Sequence, residues 1–368
     1  MDSDRLYSMI EERGLDALVV FSPENVLYTS GCQIETQKGI RDRLAASVFI
    51  PGQDPALVLC KIELAQAEEE SWIKDLVSYI EFAESPISAV ARCLKSRGVD
   101  KGRLGLDLSY LAASFYNEFK AETPQATLED CTDLMVRMRA IKTPEEVEHQ
   151  ERITRITVKV IEEAFAATKV GDTDTDVYNR IIRGLVDNGG KPDVAVVAAA
   201  ERGSVAHPTP VEYSLKSGDV IRVDIVGYWG GYMSDVARTV CVGEPSQQSR
   251  ENYTKLARIQ KSVIDSIKPE IKVSSLFNFC AESFAKEGLP FIMPHIGHGM
   301  GLEIHEYPMI HPANHDPVRE GMVLNIEPLL IDPEQRFGYH IEDLLVVTAG
   351  GNRVMTGTSF PMEIPVTG

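Results

Sequence analysis

Residues 223–235 read VDIVGYWGGYMSD, two runs of β-forming residues on either side of a Gly-Gly pair. Paired glycines between such runs favour a β-hairpin. Folded about the midpoint between Trp229 and Gly230, this hairpin places Asp224 directly opposite Asp235 on one face. Like charges that face each other destabilise a strand pair, so the pattern predicts that another group compensates them.

A second pair of acidic residues repeats this arrangement. Glu327 and Glu342 each lie beside or within an apolar run that is typical of a β-strand. If the chain folds back about the midpoint between Glu334 and Gln335, Glu327 lies opposite Glu342. Two hairpins that each gather carboxylates between apolar strands indicate a shared chemical role.

A metal site would explain the four carboxylates. Hard divalent cations prefer oxygen ligands, and four carboxylates exceed what one cation with an open position can use. The hypothesis is therefore a pair of metals bridged by carboxylates. Six of the eight histidines lie in the last quarter of the chain, and His298 is the best candidate for an imidazole ligand. It lies in the sequence GHGMG, where the flanking glycines allow the backbone to approach closely.

The overall composition excludes several classes of partner. The chain has 368 residues, with 55 acidic against 37 basic side chains and a formal net charge of -18. Such a surface repels phosphate backbones and anionic lipids, so neither nucleic acid nor membrane is expected as a partner. No secretory signal precedes the first strand, and the six cysteines are scattered. A cytoplasmic protein with buried free thiols is the expectation.

The first third of the chain alternates short β-rich runs with helical stretches, which is typical of an α/β layer structure. The predicted strands are residues 17–21 and 46–50, and the predicted helices are residues 62–73 and 87–97. From Thr143 the sequence pattern changes to that of a long helix, because Thr143, Pro144 and Glu146 form a strong helix start. Helices followed by β-rich segments then predict an α+β domain. The predicted domains are residues 1–136 and 137–368.

Four stretches resemble the Xaa-Pro peptidase branch, aminopeptidase P and prolidase, of the pita-bread metallopeptidase superfamily, peptidase family M24. They are residues 223–239, HIGHGMGLEIHEYP at 295–308, GMVLNIEP at 321–328, and residues 341–343. Residues 16–31, DALVVFSPENVLYTSG, are similar to the domain that precedes the catalytic one in this branch. The resemblance implies an α+β chain. It would have a C-terminal pita-bread (creatinase/aminopeptidase) fold after an N-terminal creatinase-like α/β domain.

The resemblance also implies roles for individual residues. The metal ligands would be Asp224, Asp235, His298, Glu327 and Glu342. Asp235 and Glu342 would bridge the metals, and Glu327 would also transfer protons. His305 matches the histidine that contacts the scissile carbonyl, and His207 matches one that lines the substrate pocket.

The implied reaction is hydrolysis of the amide bond before proline in a peptide, by a hydroxide that bridges two divalent metal ions. Mn²⁺ is favoured because the ligands are mostly oxygen, although Co²⁺, Fe²⁺ and Zn²⁺ also occur in this family. A homodimer is expected by the same resemblance.

The sequence departs from the family pattern at two positions. His340 and Met309 stand where related enzymes often carry arginine, which grips a carboxylate through two hydrogen bonds. His340 is therefore a candidate for substrate binding, with Arg319 or Arg336 as possible replacements for the missing cation. Three functions stay open at this point: a proline-directed peptidase, a hydrolase or lyase of a small non-peptide substrate, and a catalytically inactive binding module.

Overall fold

A computed structural model of the chain describes residues 1–357 and 360–368. The chain divides into two compact units, residues 1–139 and residues 140–368. In the described residues, no helix is both long enough and apolar enough to cross a membrane. All six cysteines are buried and free, as the sequence predicted.

The first unit is built on one six-stranded sheet with the order β4-β3-β2-β1-β5-β6. Its strands are β1 (Ala17–Val20), β2 (Ala46–Phe49), β3 (Ala56–Cys60), β4 (Asp75–Tyr79), β5 (Arg103–Leu106) and β6 (Thr127–Asp130). Its helices are α1 (Ser3–Glu12), α2 (Pro23–Ser30), α3 (Glu35–Gly39), α4 (Leu64–Glu70), α5 (Pro86–Ser96), α6 (Ala113–Glu122) and α7 (Thr132–Ala140).

The central strands of this sheet are buried along their whole length. Every residue of β1, β2 and β3 is buried, which is typical of a sheet that is covered on both faces. The predicted helix at residues 62–73 is shorter than expected. A 3-10 turn at Lys61–Glu63 precedes α4, and the chain leaves the helix at Ser71.

The second unit carries two long pairs of helices and the strands that hold the candidate site. Its helices are α8 (Pro144–Ala166), α9 (Asp174–Asp187), α10 (Gln247–Ser266) and α11 (Val273–Lys286). Its strands are β7 (Lys191–Ala199), β8 (Val220–Trp229), β9 (Tyr232–Val242), β10 (Gly297–Gly299), β11 (Val323–Ile326), β12 (Leu329–Asp332), β13 (Phe337–His340), β14 (Asp343–Thr348), β15 (Gly351–Val354) and β16 (Val366–Thr367).

Helix α8 begins where the sequence predicted. The Thr143 hydroxyl accepts from the Glu146 N–H at 3.3 Å, and the Glu146 carboxylate accepts from the Thr143 N–H at 2.8 Å. Two of the backbone donors that a helix start leaves unpaired are satisfied in this way. The buried face of α8, which includes Ile153 and Ile161, packs with residues of β8 and β9 in one apolar core.

Within the described part of this unit, the strands form a sheet β16-β9-β8-β7, a sheet β10-β11-β14-β15, and the pair β12-β13. The register of the first hairpin corrects the sequence prediction. Trp229 pairs with Tyr232, so the turn is Gly230 and Gly231, and Asp224 pairs with Ala237 rather than with Asp235.

The acids of that hairpin nevertheless share a face. Asp235 pairs with Val226, which is two residues from Asp224. Because side chains two residues apart in a strand point the same way, Asp224 and Asp235 are diagonal neighbours.

The register of the second hairpin agrees with the prediction. Ile326 pairs with Asp343 and Leu329 pairs with His340. Glu327 and Glu342 therefore lie opposite each other, in the interval between two ladders. The apolar run at residues 322–330, which is typical of one β-strand, is divided there into β11 and β12.

Candidate metal centre

The side chains proposed as ligands come together from five strands or strand ends. They are Asp224 on β8, Asp235 on β9, His298 on β10, Glu327 directly after β11 and Glu342 directly before β14. Each lies in the second unit, on or directly beside strands that are almost wholly buried.

Backbone hydrogen bonds fix the two glutamates at the break between the ladders. The Glu342 N–H donates to the Ala237 carbonyl at 3.1 Å, two residues after Asp235. The Glu327 N–H donates to the Ile296 carbonyl at 2.9 Å, two residues before His298. Each glutamate is thus tied by its main chain to the segment that carries another member of the group.

The donor atoms are close enough to share cations. One side-chain donor atom each from Asp235, His298 and Glu342 lies within 4.8 Å of the others. The His298 Nε2 lies 3.4 Å from the Glu327 Oε1 and 3.9 Å from the Asp235 Oδ2. Its other nitrogen, Nδ1, lies 3.0 Å from the Gly299 carbonyl. With Nδ1–H donating there, the lone pair of Nε2 points to the carboxylates, as a metal ligand requires.

Three of the carboxylates resist ionisation without a counter-charge. Burial, together with the charge of Glu327, raises the pKa of Asp224 to about 6. Burial and the charges of neighbouring carboxylates raise the pKa of Asp235 and of Glu342 well above their ordinary values. Like charges packed into a poorly solvated site are costly, and a cation removes that cost.

Glu327 behaves differently from the other acids. Burial alone would raise its pKa, but contact with His295 and the nearby imidazoles of His298 and His340 outweigh burial and lower the pKa to about 2. The His295 Nδ1 lies 3.2 Å from the Glu327 Oε1. The same contact raises the pKa of His295. Glu327 is therefore the member of the group that is ionised most readily.

The buried donor atoms fit a metal site. Among the described residues, no hydrogen bond is made by Oδ1 of Asp235, Nε2 of His298, Oε1 of Glu327 or Oε2 of Glu342. The 3.2 Å approach of His295 to Glu327 is an ion pair without hydrogen-bond geometry. Buried polar atoms in folded proteins are nearly always paired. Carboxylate oxygens and an imidazole with its lone pair turned inward are the donors that divalent transition metals accept.

His305 lies at the mouth of the site. Its ring centroid is 4.3 Å from that of His298 and 5.6 Å from that of His295. The residue is exposed to solvent in part, and its partial burial, together with the charge of His298, lowers its pKa to about 4. The imidazole is consequently neutral at pH 7 and retains one N–H for a hydrogen bond.

His207 and His340 approach the site from other segments. His207 is exposed and follows the 3-10 turn Ala200–Ser204. His340 ends β13, is 2% exposed, and has its Nδ1 3.9 Å from the Asp224 Oδ2. Burial lowers the pKa of His340 to about 3, and the charges of Arg222 and His207 act in the same direction.

The two arginines that the sequence offered as replacements are engaged elsewhere. Arg319 pairs with Glu270, and Arg336 pairs with Glu201 at 2.6 Å. All four of these side chains are more than half exposed. Met309 supplies a carbonyl to the Asn314 side chain at 3.0 Å.

Sequence reasoning gave no role to His295 or Asn325. The Asn325 side chain donates to the Glu342 Oε1 at 2.6 Å, which orients that carboxylate. Asn325 is fully buried within β11. Asparagine is depleted in strands, so its presence in an apolar run was a signal for this residue. For His295, the signal was its place three residues before His298.

The fold and this group of donors are those of a metallopeptidase, as the match to a known family shows. The sequence profile of metallopeptidase family M24 matches residues 139–349, and the creatinase/prolidase N-terminal domain matches residues 3–141. The chain therefore belongs to metallopeptidase family M24. The predicted fold, a pita-bread domain after a creatinase-like domain, is confirmed.

Relatives match along nearly the whole chain. An Xaa-Pro dipeptidase of Pyrococcus furiosus is 26% identical over 96% of this chain and 97% of its own length. An Xaa-Pro dipeptidase of Lactobacillus delbrueckii subsp. lactis is 27% identical over 99% of both chains. The crystal structure of the prolidase from Pyrococcus horikoshii superposes with a TM-score of 0.85 at 26% identity, covering 98% of this chain and 99% of that one.

Proposed function

We propose that this protein is a metal-dependent Xaa-Pro dipeptidase, which hydrolyses the amide bond before a C-terminal proline. The observation that carries the proposal is the convergence of Asp235, His298, Glu327 and Glu342, with buried donor atoms that lack partners among the described residues. The full-length similarity to Xaa-Pro dipeptidases supports the choice of substrate.

Two divalent ions, with Mn²⁺ as the first choice, would be held by these four residues and Asp224. Asp235 and Glu342 would gain most directly from the positive charge of the ions, because burial and neighbouring carboxylates raise the pKa of both well above the ordinary values. When bound, the ions supply an acidified water and an electrophile for the carbonyl group. The Asn325 side chain holds one oxygen of Glu342 and leaves the other for the cation site.

Glu327 is the proposed proton carrier. It is ionised before the reaction, and its Oε1 points to the donor atoms of His295 and His298. The Glu327 carboxylate accepts a proton from the nucleophilic water and passes it to the leaving proline nitrogen. His295 keeps the carboxylate oriented between these two events.

His305 and His207 are the proposed substrate contacts. The neutral imidazole of His305 donates its N–H to the carbonyl oxygen, where negative charge develops in the transition state. His207 is exposed and lies close enough to His305 and His340 to contribute to the pKa shifts of both, which supports a contact with the substrate. His340 is buried and lies next to Asp224, so its proposed part in substrate binding is to shape the floor of the pocket.

Two broader features complete the proposal. Buried free thiols are typical of a reducing compartment, which supports the cytoplasm as the location. The family resemblance supports a homodimer. Sedimentation equilibrium at several protein concentrations measures the mass in solution, and a monomer at every concentration contradicts the dimer.

The decisive experiment compares three sets of substrates with Mn²⁺-loaded protein. Xaa-Pro dipeptides should be cleaved, whereas Xaa-Pro-Yaa tripeptides and dipeptides without proline should not. The Asp235→Asn variant, which removes a proposed bridging charge, serves as the inactive control. Cleavage of tripeptides alone would replace the proposal by an aminopeptidase, and cleavage of none of the sets would reject a peptidase of this specificity.

A further inference from the structure

A buried arginine lies beside the metal centre without an assigned role. Arg222 is on β8, two residues before Asp224, and its side chain is fully buried. Residues two apart in a strand share a face, so the guanidinium lies on the side of the sheet that carries Asp224. Valine or isoleucine is the ordinary occupant of such a position, and β8 otherwise has mostly those residues.

The guanidinium binds one short segment of backbone. Its Nε donates to the Gly203 carbonyl at 2.9 Å, and its Nη2 donates to the Ala206 carbonyl at 2.7 Å and to the Val205 carbonyl. These three carbonyls belong to residues 203–206, which run directly into His207. Arginine can do this because its planar fork presents several donors in fixed directions.

The cost of burying the Arg222 guanidinium indicates that its hydrogen bonds have a structural role. A buried cation is costly unless charges or dipoles compensate it. Arginine stays protonated in proteins, and the carboxylate of Asp224 is close enough to act as a counter-charge. The side chain is therefore still charged at pH 7. The three carbonyl dipoles and Asp224 are its compensation, so the same cation joins the His207 segment to the strand of a metal ligand.

The other side of the segment is held by a close approach of two glycines. A Cβ on Gly338 would overlap the Gly203 carbonyl oxygen. Gly338 is on β13, two residues before His340. Residues 203–206 are thus fixed between the guanidinium from β8 and the backbone of β13.

We propose that Arg222 is a positioning residue, which holds residues 203–206 so that His207 faces the substrate. The proposal rests on the function proposed above in one respect, the role of His207 in binding substrate. The hydrogen bonds from Arg222 to the carbonyls of residues 203–206, here called the clamp, are a property of the folded chain. The two are therefore tested by separate measurements.

The clamp is tested by hydrogen exchange in the metal-free protein, which needs no activity. In Arg222→Met, amides in residues 203–207 should exchange about tenfold faster than in the parent chain, since the hydrogen bonds that hold this segment are lost. The control is Arg319→Met, which removes an exposed guanidinium. Unchanged exchange at residues 203–207 in Arg222→Met overturns the clamp.

The consequence for binding is tested by a double-mutant cycle on an Xaa-Pro dipeptide. Arg222→Met should raise KM about tenfold, with kcat within about twofold of the parent. In a His207→Ala background the same substitution should add no further increase in KM. An equal loss in both backgrounds, or a loss confined to kcat, overturns a role that acts through His207.

A second variant keeps the proposal testable if Arg222→Met does not fold. Arg222→Lys keeps the charge but offers only a point donor, so it should fold and show an intermediate KM. If Arg222→Lys restores the parent KM completely, the charge rather than the fork is responsible and the proposal is wrong. A parent protein without dipeptidase activity would reject the proposed function, while the exchange experiment would still decide the clamp.

Discussion

Lys142 and Glu306 form an ion pair of 2.8 Å whose side chains are only 2% and 3% exposed. Glu306 directly follows His305, and its other carboxylate oxygen accepts the Leu302 N–H at 2.9 Å. The Glu306 backbone also exchanges hydrogen bonds with Gly299, at 2.8 and 3.0 Å. The hydrogen bonds of Glu306 join the two ends of the loop between His298 and His305. Its ion pair with Lys142 attaches this loop to the short segment before α8.

Removal of Lys142 should therefore destabilise the protein strongly. Lys142→Met removes a buried positive charge that lies 2.8 Å from the Glu306 carboxylate, which costs about 3–5 kcal/mol in free energy of unfolding. Urea unfolding monitored by circular dichroism measures the change. The Lys142→Met/Glu306→Gln double variant should recover much of the loss because the carboxylate that Lys142 compensates is also removed. A double variant less stable than Lys142→Met alone would contradict this explanation.

Glu327→Gln should separate proton transfer from metal binding. The amide cannot accept the proton, so kcat on an Xaa-Pro dipeptide should fall by about 10²–10⁴. Metal content is measured on the same sample by atomic emission. The matched control is Glu334→Gln, in the turn between β12 and β13, which should retain parent activity. Full activity of Glu327→Gln with parent metal content would remove Glu327 from the reaction.

Replacement of the proposed metal ligand Asp235 should raise the stability of the metal-free protein and reduce the stabilisation that added metal provides. In the metal-free protein, Asp235→Asn relieves repulsion among the carboxylates, so its thermal midpoint should rise above that of the parent. Addition of Mn²⁺ should stabilise the parent by about 2.7 kcal/mol at a concentration 100 times Kd, and the variant by far less. The exposed acid Asp193 provides the control, as Asp193→Asn. A lower midpoint for metal-free Asp235→Asn would show that repulsion among the carboxylates does not govern the stability of the metal-free site.

Gly338→Ala should disturb the segment that leads to His207. The new methyl group would overlap the Gly203 carbonyl, and overpacking of this kind costs about 1–3 kcal/mol in free energy of unfolding. Guanidinium chloride unfolding provides the measurement. Gly350→Ala is the matched control, because a Cβ there meets no atom within 4 Å. Equal stability of the two variants would mean that residues 203–206 move aside for the methyl group without a measurable loss in free energy of unfolding.

Local signals predicted the start of α8 well. Thr143 and Glu146 satisfy each other's backbone within four residues, so the information for the start of α8 is contained in the sequence around it. The second hairpin is similar, since the fold-back point between Glu334 and Gln335 alone sets the pairing of Leu329 with His340.

The first hairpin was misplaced by two residues for a reason that the sequence contains. Gly230 and Gly231 both have positive φ, 55° and 96°. A two-residue loop with positive φ at both positions suits the twist of a hairpin, and it requires the turn to be centred between the glycines. The sequence prediction centred it one residue earlier, and each step of that kind shifts the pairing by two.

Contacts between distant segments could not be predicted from local patterns. Lys142 and Glu306 are 164 residues apart, and neither carries a signal for the other. The clamp of Arg222 on Ala206 likewise depends on how an irregular segment packs against β8. Such pairs are decided by tertiary packing, which hydrophobic periodicity does not describe.

The main-chain ties of Glu327 and Glu342 bear on the kinetics of cation uptake. Because each glutamate is bonded through its N–H to the segment of another ligand, the chain pays the ordering cost of the site when it folds. An arriving cation then has little to rearrange. Its association rate should be set by dehydration of the ion rather than by a conformational step, and should be insensitive to solvent viscosity.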